Sequence, residues 1–269
     1  MRSRSTMRRS IQAEFVKIWH FRFTSYGAIA VITFTSLIAY DLLKGEDLRS
    51  HVALEDWSAF LPFLFFASWE KMFAIQMLLM VMATYCVAVD SQYGMIKIGC
   101  SFPCSRTSYA NSKLIAVGLH GLLIVVIYIS TLVCWSGFAG SWQHIGWASA
   151  GAVWSFSLRL LFFSACFIWL VPSLALLRRT LLEAFVTVML SLIVFLFLNF
   201  MPMRAGLAPY LSFRYLYYPI APLITKAFPV DKLPNLREPL WRFGLANVLP
   251  PALLYLWAVV RLNNRDITE

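Results

Sequence analysis

The sequence predicts an all-α integral membrane protein folded as one transmembrane domain of about six helices, each ~20 residues long. Three observations lead there. The chain has 269 residues, of which 60% are hydrophobic and 13% charged, with a mean hydropathy of +0.69; a soluble domain is about 45–50% apolar and ~25% charged. Long apolar runs alternate with short polar stretches. Most lysines and arginines stand at the ends of those runs, where they meet anionic headgroups and set topology. A net charge of +10 would suggest nucleic acid in a soluble domain. No basic–aromatic module accompanies it here, so the membrane accounts for it.

The elements follow in order. The opening MRSRSTMRRS is basic, but the next segment is interrupted by Glu14, Lys17 and His20. No small-residue cleavage site follows, so a secretory signal is not expected. Ile11, Phe15, Ile18, Trp19 and Arg22 recur at helical spacing, with Gln12, Glu14 and Lys17 elsewhere on the wheel. This predicts an amphipathic helix over 10–22, lying in the headgroup plane with its aromatics downward; the alternative is the wet start of the first span. Span one is expected over 24–43, followed by a charged loop over 44–57. The apolar AFLPFLFFASW is too short to cross before Glu70 and Lys71, which makes it a re-entrant or interfacial element. Span two is expected over 72–89 and span three over 114–135.

The apolar region 146–177 exceeds one straight span and is interrupted by Arg159 and Pro172. It divides into an interfacial stretch, 146–158, and span four, 160–177. Span five is expected over 184–203. The stretch 204–243 is rich in prolines and aromatics, which predicts a folded extracytoplasmic loop with a short helix. Span six, 245–260, carries Pro250 and Pro251; a membrane helix tolerates such a kink when its neighbours re-satisfy the backbone. An even number of spans puts both ends on one side. The positive-inside bias is modest overall and clearer in the first half, and it places both termini in the cytoplasm of a multi-pass protein of the cell inner (plasma) membrane.

Several chemistries are missing from the sequence. There is no G-x-x-x-x-G-K-[ST] phosphate loop, no H-E-x-x-H and no G-x-S-x-G. Of the five cysteines, Cys86, Cys134 and Cys166 lie in apolar spans, where the residue acts as a small hydrophobe. Cys100 and Cys104 have neither the spacing nor the partners of a zinc site, and no metal ligand set emerges. The acids all sit in loops, near span ends or in polar breaks, which argues against the buried carboxylates of ion-coupled carriers. His120 and Arg159 are the polar side chains placed to line a pathway. For His120 the simpler reading, a satisfied structural histidine, is preferred. Gly118 and Gly121 offer close helix packing.

The distinctive segment is DSQYGMIKIGCSFPCSRTSYANSK, between spans two and three. Asp90 closes one span, Gly94 follows, and a corner Phe102-Pro103-Cys104-Ser105-Arg106 leads to Lys113 at the opening of the next. This pattern resembles the type-2 ABC transporter permeases, the membrane subunits of ATP-binding-cassette exporters. EFVKIWHFR looks like that family's elbow helix, and Arg265-Asp266-Ile267 resembles its usual ending. Asp90 replaces the usual Glu, and Met95 stands where Thr is common.

The resemblance implies a 90–113 coupling loop with a short cytoplasmic helix that docks on an ATPase. Asp90, Gly94, Pro103, Ser105, Arg106 and Lys113 would be its coupling residues. Glu14, Phe15, Lys17 and Trp19 would form the elbow over 10–22. It also implies that the chain is not itself an enzyme and carries no cofactor of its own. ATP and Mg would sit on a partner ATPase subunit. The pathway would be completed by a second permease copy or a sister permease. The expected cargo is hydrophobic or amphipathic: a peptide antibiotic of the lantibiotic or bacitracin kind, a drug, or a lipid-linked molecule, in keeping with antibiotic resistance or bacteriocin immunity. Two other readings stay open: a non-transport membrane protein (a lipid-modifying enzyme or assembly factor) and an ion-coupled secondary transporter.

Overall fold

A computed structural model describes residues 2–20, 22–44, 69–92, 105–138, 147–178, 180–200 and 240–264. Among the described residues the chain forms seven helices and no strand. They are α1 (Arg2–His20), α2 (Phe23–Lys44), α3 (Trp69–Gln92), α4 (Arg106–Phe138), α5 (Trp147–Leu176), α6 (Leu181–Phe200) and α7 (Leu240–Asn264).

Arg22 separates α1 from α2. Its φ of 54° is left-handed, the conformation in which many helices close. Its N–H donates to the Trp19 carbonyl at 3.0 Å, while its own carbonyl accepts the Tyr26 N–H at 2.9 Å and starts the next helix. The resulting pair is bent by 55°.

Ser105 starts α4 as an N-cap, its hydroxyl accepting the Ser108 N–H at 3.1 Å. At ~1.5 Å per residue this helix is roughly 50 Å long, well beyond a ~30 Å hydrocarbon core. Residues 106–113 are therefore its first two turns, not part of a separate loop, and α4 begins earlier than the expected 114. The sequence cue there was polarity, which marks where a helix leaves lipid and not where it starts.

The apolar region after it is also corrected. Trp147–Leu176 is one continuous helix through Arg159 and Pro172, with no division near 158. In hydrocarbon an interrupted backbone has nothing else to bond to. Beside Pro172, the Ser173 hydroxyl donates to the Trp169 carbonyl at 2.9 Å, adding a bond in the turn the proline weakens. Thr180 and Glu183 then start α6, the Thr180 hydroxyl accepting the Glu183 N–H at 3.2 Å. The last helix opens at Leu240, so 240–243 are helix and not loop. The stretches 45–68, 93–104, 201–239 and 265–269 lie outside the described residues. With them lie Gly94, Pro103, most of the proposed re-entrant element, the rest of the 204–243 loop and the tail motif.

The middle of the bundle is α4 and α5. The first packs against α1, α2, α3, α5 and α7, and the second against α3, α4, α6 and α7. Their approach is close at Gly121, where an added Cβ would lie 2.7 Å from Ile168 Cδ1. A Cβ on Gly118 would meet nothing within 4 Å, so only the second glycine of that pair serves packing.

Among the described residues three helices are long and apolar enough to cross a membrane: Arg106–Phe138, Ala150–Leu176 and Leu240–Asn264. The bent pair of α1 and α2 adds a fourth if it counts as one span. Shorter apolar stretches occupy Met77–Asp90 and Leu181–Ser191. Leu37, Ile193 and Trp257 point outward, as lipid-facing side chains do. This is a membrane protein.

Candidate functional site

The charged residues that the sequence scatters over two segments meet in one buried cluster. Lys113 lies at its centre, its side chain 1% exposed. Its ammonium group is 2.8 Å from Glu14 Oε2, pairs with Asp90 Oδ2, and donates to the Cys86 carbonyl at 3.1 Å. The two carboxylates balance its charge, and the Cys86 carbonyl accepts a hydrogen bond from it. Asp90 is equally enclosed. Its Oδ1 pairs with Lys17, and its Oδ2 also accepts the Tyr109 hydroxyl at 2.8 Å.

The local helix geometry explains the set. Glu14 and Lys17 are three residues apart, and Tyr109 and Lys113 four apart, so each pair shares a helix face. Two cations and two carboxylates give no net charge, which is what makes burial tolerable. Three helices are joined: α1 through Glu14 and Lys17, α3 through Asp90 and Cys86, α4 through Tyr109 and Lys113. The acidic partners of Lys113 are thus supplied by this chain. Close by, the Ser10 hydroxyl donates to that of Ser112 at 2.9 Å, again linking α1 to α4.

The rest of the proposed coupling set is near this cluster in sequence but different in role. Ser105 caps α4. Arg106 Nη1 donates to the carbonyls of Leu262 at 3.0 Å and Asn263 at 2.7 Å. It closes the C-terminal end of α7, where carbonyls lack helical partners and a cation is favoured.

The expected downward face of the 10–22 helix turns instead toward protein. Ile18 is buried, and the Phe15 ring stacks on His120 with centroids 4.2 Å apart. Trp19 stays exposed. A helix whose apolar residues find a groove between α2 and α4 buries them there in preference to the membrane surface.

His120, expected either in a pathway or in the core, is fully buried. Its Nδ1 is 2.6 Å from the Thr24 hydroxyl and its Nε2 is 3.4 Å from the Phe15 carbonyl. A carbonyl only accepts, so the tautomer with hydrogen on Nε2 satisfies both contacts. The ring joins α1, α2 and α4. Arg159 is half-buried within α5, and neither it nor His120 lines the cavity described next.

That cavity, about 460 Å³, lies among α5, α6 and α7, with Met80 of α3 at its back. Phe163, Phe167, Leu170, Leu190, Val194 and Leu254 supply much of its wall, and Arg178 stands at one end. Nothing in the sequence points to it, because each wall segment is ordinary apolar helix and the space exists only where α5, α6 and α7 face one another. The four-charge cluster did leave a trace: an acid and a base on one face of α1, matched by opposite charges at the facing ends of two spans. Among the described residues no group of His, Cys, Asp or Glu is placed to hold a metal ion. No protein-family model matches the chain, and no curated protein matches it.

Proposed function

We propose that this chain is the membrane-spanning permease subunit of an ATP-binding-cassette exporter, driven by an ATPase on a separate chain and moving a hydrophobic or amphipathic cargo outward. In this reading α2 to α7 are six spans, α1 is the elbow helix, and both termini are cytoplasmic. A second copy or a sister permease completes the pathway.

The observation that carries the reading is the buried Glu14–Lys113–Asp90–Lys17 cluster. Asp90 and Lys113 flank the polar segment that resembles a coupling loop, and they are paired with each other. A push on that segment therefore reaches α3 and α4 together and, through Glu14 and Lys17, carries α1 with them. Arg106 passes the same displacement to the end of α7. Asp90 and Lys113 act in this scheme as positioning residues inside the permease. Contact with the ATPase falls to the segment between them, Gly94 and Pro103 included.

The test is purification from native membranes in mild detergent, with mass spectrometry of bound proteins and an ATPase assay. A stoichiometric ATPase is expected to co-purify. Gly94→Pro should insert normally and retain the ATPase, yet reduce export per ATP hydrolysed by about tenfold, equivalent to ~1.4 kcal/mol of lost coupling. Recovery of the chain alone from several detergents would overturn the proposal and favour a lipid-modifying enzyme or an assembly factor.

A further inference from the structure

The cavity among α5, α6 and α7 has the dimensions and polarity of a site for one lipid of a single leaflet. From Phe163 to Leu174 its wall rises roughly 16 Å at ~1.5 Å per residue, and one leaflet's hydrocarbon is roughly 15 Å deep. Arg178 follows the last buried turn of α5 and is itself exposed, which puts its guanidinium at headgroup depth. Both α6 and α7 lean on α5, with the cavity between them. Leu190 and Val194 line the cavity and are also exposed on the outer face of the bundle, which leaves it open to the side.

The polar wall residues ask nothing of that guest. Thr187 donates to the Glu183 carbonyl at 2.7 Å, Ser191 to the Thr187 carbonyl at 2.8 Å, and Asn247 to the Phe243 carbonyl at 2.9 Å. Each donates back along its own helix, leaving an interior that suits an acyl chain. The charge at the end selects the head. Among the described residues Arg178 makes no ion pair, and Glu183 nearby in sequence is exposed and does not line the cavity. Guanidinium groups favour phosphate oxygens, which they bind in a planar fork.

The geometry points to a binding site for an anionic membrane phospholipid, its acyl chain along α5 and α6 and its phosphate on Arg178. This goes beyond the exporter reading and does not depend on it, because the site is complete in one chain.

The test uses the full chain in nanodiscs without ATPase or nucleotide. The discs contain phosphatidylglycerol or phosphatidylcholine bearing a photoactivatable acyl chain, and labelled residues are mapped by mass spectrometry. Phosphatidylglycerol should label Phe167, Leu170 and Leu190 in preference to the outward Ile29 and Leu37 of α2, which report ordinary surrounding lipid. Arg178→Gln should cut that labelling about tenfold, equivalent to ~1.4 kcal/mol of lost affinity, and Arg178→Lys should keep most of it. Leu190→Trp, at the cavity's outer edge, should remove cavity labelling while leaving Ile29 and Leu37 labelled. Equal labelling of the cavity by both lipids, or no preference for it over the α2 face, would overturn the assignment. So would Arg178→Gln labelling that matches the unmodified chain.

Discussion

The two flanks of the central α4–α5 pair are held by opposite means. On one flank, α1, α3 and α4 meet through directed contacts: two cations, two carboxylates and a tyrosine hydroxyl, enclosed except for the part-exposed Lys17. On the other, α6 and α7 lean on α5 around open apolar space. Directed contacts have few alternative arrangements, since moving one member strands the rest. Apolar contacts slide and refill. The first flank is suited to transmitting a displacement, and the second to changing shape around a guest.

The largest effect should come from breaking the directed flank. Lys113→Met leaves Asp90 and Glu14 without their buried cation and should cost about 3–5 kcal/mol, read as a fall in the thermal midpoint of the detergent-solubilised protein. Adding Asp90→Asn should recover part of the loss, since it withdraws one of the stranded charges. If Lys113→Met were as stable as the parent, the two flanks would not differ in the way described.

Next comes the seam between the flanks. Gly121→Leu forces a side chain into the space of Ile168 and should cost about 1–3 kcal/mol. Ile168→Ala in the same chain should restore much of it. Gly118→Leu, facing open space, should stay within about 0.5 kcal/mol of the parent. A smaller and local effect is expected from Arg106→Gln. Loss of its bonds to Leu262 and Asn263 should cost about 1 kcal/mol and speed amide exchange in the last turn of α7, with exchange in α6 unchanged. A change of opposite sign is expected from Arg22→Gly, which relieves a left-handed residue and should add roughly 1 kcal/mol without altering the α1–α2 bend.

The helical class and the cores of the helices were legible because hydropathy is a local property. The 24–43, 72–89 and 184–203 expectations lie within a few residues of α2, α3 and α6. Polarity misled where it was taken as an end signal. Arg106 to Lys113 are polar and helical, and Arg159 and Pro172 interrupt apolarity without interrupting the helix. The candidate site was half legible. The sequence singles out Asp90 and Lys113 as coupling residues and Glu14 and Lys17 as elbow residues, in two separate elements. What joins them is a fold-level meeting of α1 with α3 and α4, and no local pattern encodes it. Tyr109 was missed for the same reason. The cavity left no mark because its wall is ordinary apolar sequence until three helices face one another.

The contact between Glu14 and Lys113 also constrains how the protein is made. Glu14 leaves the ribosome long before its partner, with α2 and α3 synthesised in between. Until α4 emerges, Asp90 ends a span without its central cation, and α1 has neither Lys113 to hold it nor His120 to receive Phe15. Lys17 can meet Asp90 once α3 is made, but the docking of α1 is complete only after the fourth helix arrives, and a chain arrested before Lys113 should leave α1 more open to added protease.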